Sequence, residues 1–129
     1  MKAQLKVEWL DRHWRLMLPL HRAFITEVGR AGAGDKAFTL ALVLTRVLDT
    51  WSYKSFSAYA AAQESGLSMP ELTRAVEELV GLGALDVRKK TFLGRTMTLY
   101  RLGKAIVSRT GFFVAPPVET DTAHGDADE

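Results

Sequence analysis

The chain is 129 residues long, 47% hydrophobic and 25% charged, with a formal net charge of +2. That is enough apolar material for one self-supporting core and too much for a wholly disordered chain. With no cysteine, three scattered histidines (His13, His21 and His124) and no apolar run longer than Ala37 to Leu44, the composition argues against a disulfide framework, a metal cofactor and a membrane span.

The first residues, Met1-Lys2-Ala3-Gln4-Leu5-Lys6, lack the apolar stretch of a secretory signal, so a cytoplasmic protein is expected. Gln4 to Leu10 alternates weakly and reads as strand or helix. Leu20 to Arg30 reads as a helix with Phe24, Ile25 and Val28 on one side. Pro19 suits its first turn, and Gly29, Gly32 and Gly34 end it in a loop. Residues 1–34 are thus expected to form a helical or strand-plus-helix extension and a dimerisation element. Asp35 is the expected N-cap of a second helix. Its apolar positions Ala37, Leu40, Ala41, Leu44, Val47, Leu48 and Trp51 recur at helical spacing. Phe38, Leu42 and Val43 are apolar off that stripe, so this helix is either central in the fold or shared with a partner subunit. The aromatics Trp9, Trp14, Phe24, Phe38 and Trp51 read as core rather than pocket walls, and no small-molecule effector is assigned.

Ser57 is the expected cap of a short helix containing Ala60, Ala61 and Ala62, whose small side chains permit close approach of a neighbour. Gly66 follows, where a tight turn needs a positive φ. Ser68 and Glu71 stand at the N-cap and N3 spacing of a capping box, and Leu67 and Leu72 at that of a hydrophobic staple. The helix so started buries Leu72, Ala75, Val76, Leu79 and Val80. Met69, Thr73, Arg74, Glu77 and Glu78 point elsewhere, and Gly81-Leu82-Gly83 ends it. Two short helices joined by a glycine turn have the form of a helix-turn-helix.

Leu85 to Phe92 and Thr96 to Leu102 read as two strands joined by Leu93-Gly94-Arg95. The expected fold is therefore mainly α with a small β-hairpin, a winged helix-turn-helix over residues 35–109. Leu85 to Arg109 holds Arg88, Lys89, Lys90, Arg95, Arg101, Lys104 and Arg109 against Asp86 alone, a cluster that attracts polyanions. Lys89, Lys90 and Arg95 lie near the hairpin tip, where a wing meets phosphate or a minor groove. The last twenty residues carry five acids and no lysine or arginine. Residues 110–129 read as a disordered acidic tail that competes with DNA for the basic hairpin.

The run Gly66-Leu67-Ser68-Met69-Pro70-Glu71-Leu72-Thr73-Arg74-Ala75-Val76-Glu77-Glu78-Leu79 and on to Leu85 resembles the recognition-helix stretch of winged helix-turn-helix proteins of the MarR kind. The resemblance extends from about Ser55 to Leu102. More loosely, the chain is similar to the winged-helix modules of plasmid and phage replication initiators. The MarR resemblance implies that Ser68 caps the recognition helix and reaches a phosphate. Met69, Pro70 and Thr73 would face base edges, with methyl contacts to thymine natural for Met69 and Thr73, and Arg74 would reach a guanine or a phosphate. Ser57 and Tyr59 would touch the backbone, and Arg88 would join the wing cations. Glu77 and Glu78 depart from a DNA-binding helix: Glu78 is read as ion-paired or solvated, and Glu77 as facing either protein or a cytosine amino group.

The leading expectation is a nucleoid-associated, sequence-specific double-stranded DNA-binding protein, a homodimeric transcriptional repressor on an inverted repeat. A replication or partition factor of a plasmid or phage would use the same contacts. A winged-helix protein–protein module is the third reading, favoured by Glu77 and Glu78. An enzyme is not expected, since no phosphate loop, metal-ligand set or nucleophile-base arrangement is legible.

Overall fold

The computed structural model describes residues 18–112. The expectations for the first seventeen residues, and for the acidic tail from residue 113 onward, lie outside these. Among the described residues the elements run α1 (Pro19–Arg30), α2 (Asp35–Leu44), α3 (Ala58–Ser65), α4 (Met69–Gly81), β1 (Leu85–Phe92), β2 (Arg95–Leu102), α5 (Lys104–Val107) and a 3-10 turn (Ser108–Thr110). The architecture is mainly helical with one antiparallel hairpin. No helix among the described residues is long and apolar enough to cross a membrane.

Pro19 occupies the first turn of α1, where its missing N–H breaks no helical bond. The buried face of α1, Phe24, Ile25 and Val28, joins one core cluster with Leu40, Leu44, Leu79, Leu102 and Ile106. The helix read as part of an extension thus shares its core with the rest of the fold. It packs against α2, α5 and the 3-10 turn. Thr110 belongs to that turn, and its hydroxyl donates to the Val107 carbonyl and accepts the Phe112 N–H. Thr110, expected to open the tail, is thus held in the turn that follows α5 by these side-chain bonds.

Two expectations for the second helix are corrected. Its N-cap is Gly34, and Asp35 is its first helical residue, where a carboxylate favours the positive end of the dipole. Its C-terminal end is Leu44, seven residues before Trp51. The Thr45 hydroxyl donates to the Leu42 carbonyl, and the N–H groups of Arg46 and Val47 bond three residues back, tightening the last turn. Beyond it the backbone is drawn off by β2: the Asp49 carbonyl accepts the Leu102 N–H, and Lys54 exchanges both backbone bonds with Tyr100. Leu48 turns back into the core, while Val47 and Trp51, expected on the buried stripe, are exposed. Within Asp35–Leu44 the run from Leu40 to Leu44 is buried without interruption, so α2 is central.

The expectations for α3 and α4 hold at their caps. The Ser57 hydroxyl accepts the Ala60 N–H, and Gly66 closes α3 at φ 76°. Ala61 and Ala62 are its buried residues, and their small side chains let α3 sit close against α2 and α4. The Ser68 hydroxyl accepts the Glu71 N–H at 3.2 Å while the Glu71 carboxylate accepts the Ser68 N–H at 2.9 Å, so the capping box closes in both directions.

The hairpin pairs Leu85 with Leu102 at its base and Phe92 with Arg95 at its tip. Arg95, expected in the turn, is the first residue of β2. The turn is two residues, Leu93 at φ 53° and Gly94 at φ 77°, both left-handed as a type I′ turn requires. Leu85 and Leu102 are buried, and burial falls away toward the tip. Gly103 follows, donating its N–H to the Ala84 carbonyl; a Cβ there would overlap the Gly83 carbonyl oxygen.

Candidate nucleic-acid interface

Helix α4 is amphipathic, and its two sides are occupied differently. Leu72, Ala75 and Leu79 enter the core. Met69, Pro70, Thr73, Arg74 and Glu77 form an exposed stripe, the last four standing one, four, five and eight residues after the first. Between the two lie Glu71 and Glu78, both turned toward the start of α2. Glu71 Oε2 pairs with Lys36 Nζ at 3.0 Å, and Glu78 Oε2 accepts the Gly34 N–H at 2.7 Å. The Ser68 N–H and the Lys36 ammonium together hold the Glu71 carboxyl well below its ordinary 4.5, at about 2. Glu78, read as ion-paired or solvated, is exposed and also supplies a cap to another helix across the fold. Of the three carboxylates on α4, only Glu77 remains on the exposed stripe.

Arg74 is exposed and makes no ion pair or side-chain hydrogen bond among the described residues. The Thr73 hydroxyl donates back to the Met69 carbonyl, which leaves its methyl as the outward group. Ser68 uses its oxygen as the cap acceptor and keeps its hydroxyl proton for an outside acceptor. Ser57 caps α3 in the same way. Tyr59, 67% exposed, stands two residues on, its hydroxyl accepting from the Gln63 amide.

The basic hairpin divides into a structural base and an outer part. At the base, Asp86 Oδ2 accepts from Arg101 Nε at 2.9 Å and from the Lys104 N–H at 3.1 Å. Two guanidiniums lie over the Tyr53 ring, Arg88 at 4.1 Å and Arg101 at 4.6 Å from its centroid. Arg88 is therefore half-buried against an aromatic ring, tying the segment after α2 to the hairpin. Tyr53 was missed in the sequence. Its only signal was position, an aromatic between the helical stripe and the cap at Ser57.

Farther out, strand alternation separates two cations that adjoin in the sequence. Lys89 shares a face with Val87, Thr91, Thr96 and Thr98, and Lys90 shares the other with Phe92, Arg95 and Met97. Lys89 and Arg95 are exposed and make no ion pair or side-chain hydrogen bond with a described residue. Phe92 and Leu93 are 61% and 85% exposed at the tip, an apolar end that the charge count concealed.

No family model matches this chain, and neither a curated protein nor a solved structure is significantly similar to it.

Proposed function

We propose that this protein binds double-stranded DNA in a sequence-specific manner through a winged helix-turn-helix. In this reading α4 enters the major groove with Met69, Pro70, Thr73 and Arg74 toward base edges, and the hairpin lies on the backbone or in the adjacent minor groove. The observation that carries the reading is the exposed stripe of α4. Two of the helix's three glutamates are withdrawn to the start of α2, which leaves Arg74 outward with no partner among the described residues. The order of elements supports it: a central helix, a single strand-like bridge at Lys54, the α3–α4 pair, then the hairpin. So do Lys89 and Arg95, cations that no described residue engages beyond the base of the hairpin.

The role that follows is transcriptional repression by a homodimer. Two copies of α4 would enter successive major grooves about 34 Å apart on an inverted repeat and occlude polymerase. The test is selection of bound fragments from a genomic library, followed by anisotropy titration of the recovered site and a scrambled duplex across salt. A recovered palindrome held about a thousandfold more tightly than the scramble supports the reading. Iterated direct repeats would replace the repressor role with replication or partition. Equal, weak binding to both duplexes would overturn sequence-specific recognition.

A further inference from the structure

Phe92 and Leu93 are the most exposed aromatic and aliphatic side chains of the hairpin, and they stand together at its end. Leu93 is also the one non-glycine residue at positive φ among those described. A left-handed leucine is a strained choice at a position where asparagine or aspartate sits readily. An apolar side chain held out of a protein at a conformational cost needs a use outside the protein. The cations around the tip indicate which. Lys89 lies on one face of the two-stranded ribbon and Lys90 and Arg95 on the other. Positive charge on both faces of a narrow projection complements a groove with phosphates along both walls, not a flat surface charged on one side.

We propose that the hairpin tip is a wedge: Leu93, backed by Phe92, inserts into the minor groove, partly unstacks a base step and bends the duplex. Lys89 meets the phosphates of one strand and Arg95 those of the other. The proposal rests on the DNA-binding reading above and adds to it a deformation of the DNA. Flexible pyrimidine–purine steps would then be favoured at positions that α4 never touches.

The test compares the wild-type protein with Leu93→Asn, which keeps the turn in its preferred Asn-Gly form and removes the apolar side chain. Thermal unfolding followed by circular dichroism checks that the variant folds, with a midpoint at or above that of the wild type. The probes are an A·T-rich duplex of about 25 base pairs with dyes at its ends and the same duplex with a central mismatch. The wild type is expected to shorten the end-to-end distance of the paired duplex. It should bind the mismatched duplex about tenfold more tightly, because that stack is already loosened. Leu93→Asn should bind the two alike and leave the paired duplex straight. If the wild type binds both duplexes equally without bending them, the wedge is wrong and DNA binding stands. Binding to neither duplex at low salt overturns both. Sedimentation with phosphatidylserine vesicles, lost in Leu93→Asn and without DNA binding, would make the tip a lipid anchor instead.

Discussion

The Glu78 carboxylate accepts the Gly34 N–H at 2.7 Å, a bond between residues 44 apart in sequence. It supplies from α4 the cap that α2 lacks, since Gly34 has no side chain with which to cap its own helix. Glu78→Ala should therefore lower folding stability by about 1 kcal/mol, within the range of a lost N-cap. Glu78→Gln, which keeps an acceptor and loses the charge, should fall between. Urea unfolding of the three proteins measures this, and an alanine variant as stable as the wild type would deny the cap.

Glu71 and His21 set two separate pH windows. The folded chain holds Glu71 at about 2, below its ordinary 4.5, so its contribution is complete above about 4.5 and is lost as pH falls toward 2. His21 is half-buried, and burial lowers its pKa below 6.5. As pH falls through 6.5 the unfolded chain takes up that proton first, so stability declines from there down to the lower folded value. The melting midpoint should accordingly drop in two stages on acidification. Glu71→Gln should remove the dependence on this group in the lower window, and His21→Gln its counterpart in the upper one.

Gly103 and Gly81 should respond oppositely to alanine. A Cβ at Gly103 would overlap the Gly83 carbonyl, with the Ala84 backbone immediately behind it. Relief requires parting β2 from the α4–β1 junction, so Gly103→Ala should destabilise by more than about 3 kcal/mol and express poorly. Gly81, in the last turn of α4, has open space around it, and Gly81→Ala should be neutral or stabilise by up to about 1 kcal/mol. Thermal melts of the two variants decide this.

The proposed interface separates specificity from charge. Arg74→Ala should lose about 1–3 kcal/mol on the selected site and much less on a scramble, if Arg74 reads a guanine. Lys89→Ala and Arg95→Ala should weaken both duplexes alike and reduce the salt slope by about 0.9 for each phosphate no longer neutralised. Glu77→Gln should tighten binding to both by removing a repulsive charge. Anisotropy titrations at several salt concentrations follow all four variants, and an Arg74 variant that bound every duplex uniformly more weakly would demote Arg74 from base reading to the DNA backbone.

The start of α4 at Ser68, the cap of α3 at Ser57, the turn at Gly66 and the two strands were legible in the sequence. Each is governed by bonds that close within a few residues, so the residue types at those positions suffice. The exposed stripe from Met69 to Glu77 was legible for the same reason, as a phase of one helix whose start was known. Only the tertiary structure decided where α2 stops, because its continuation competes with the edge of β2, far along the chain, for the same backbone groups. It also decided that Glu71 and Glu78 turn to the start of α2 while Glu77 stays outward, which depends on a helix terminus that no local pattern places beside them. The split of Lys89 and Lys90 onto opposite faces was implicit in strand alternation. That Arg88 is engaged by Tyr53 and Arg101 by Asp86 was not, since those partners come from a loop and a strand register set by packing.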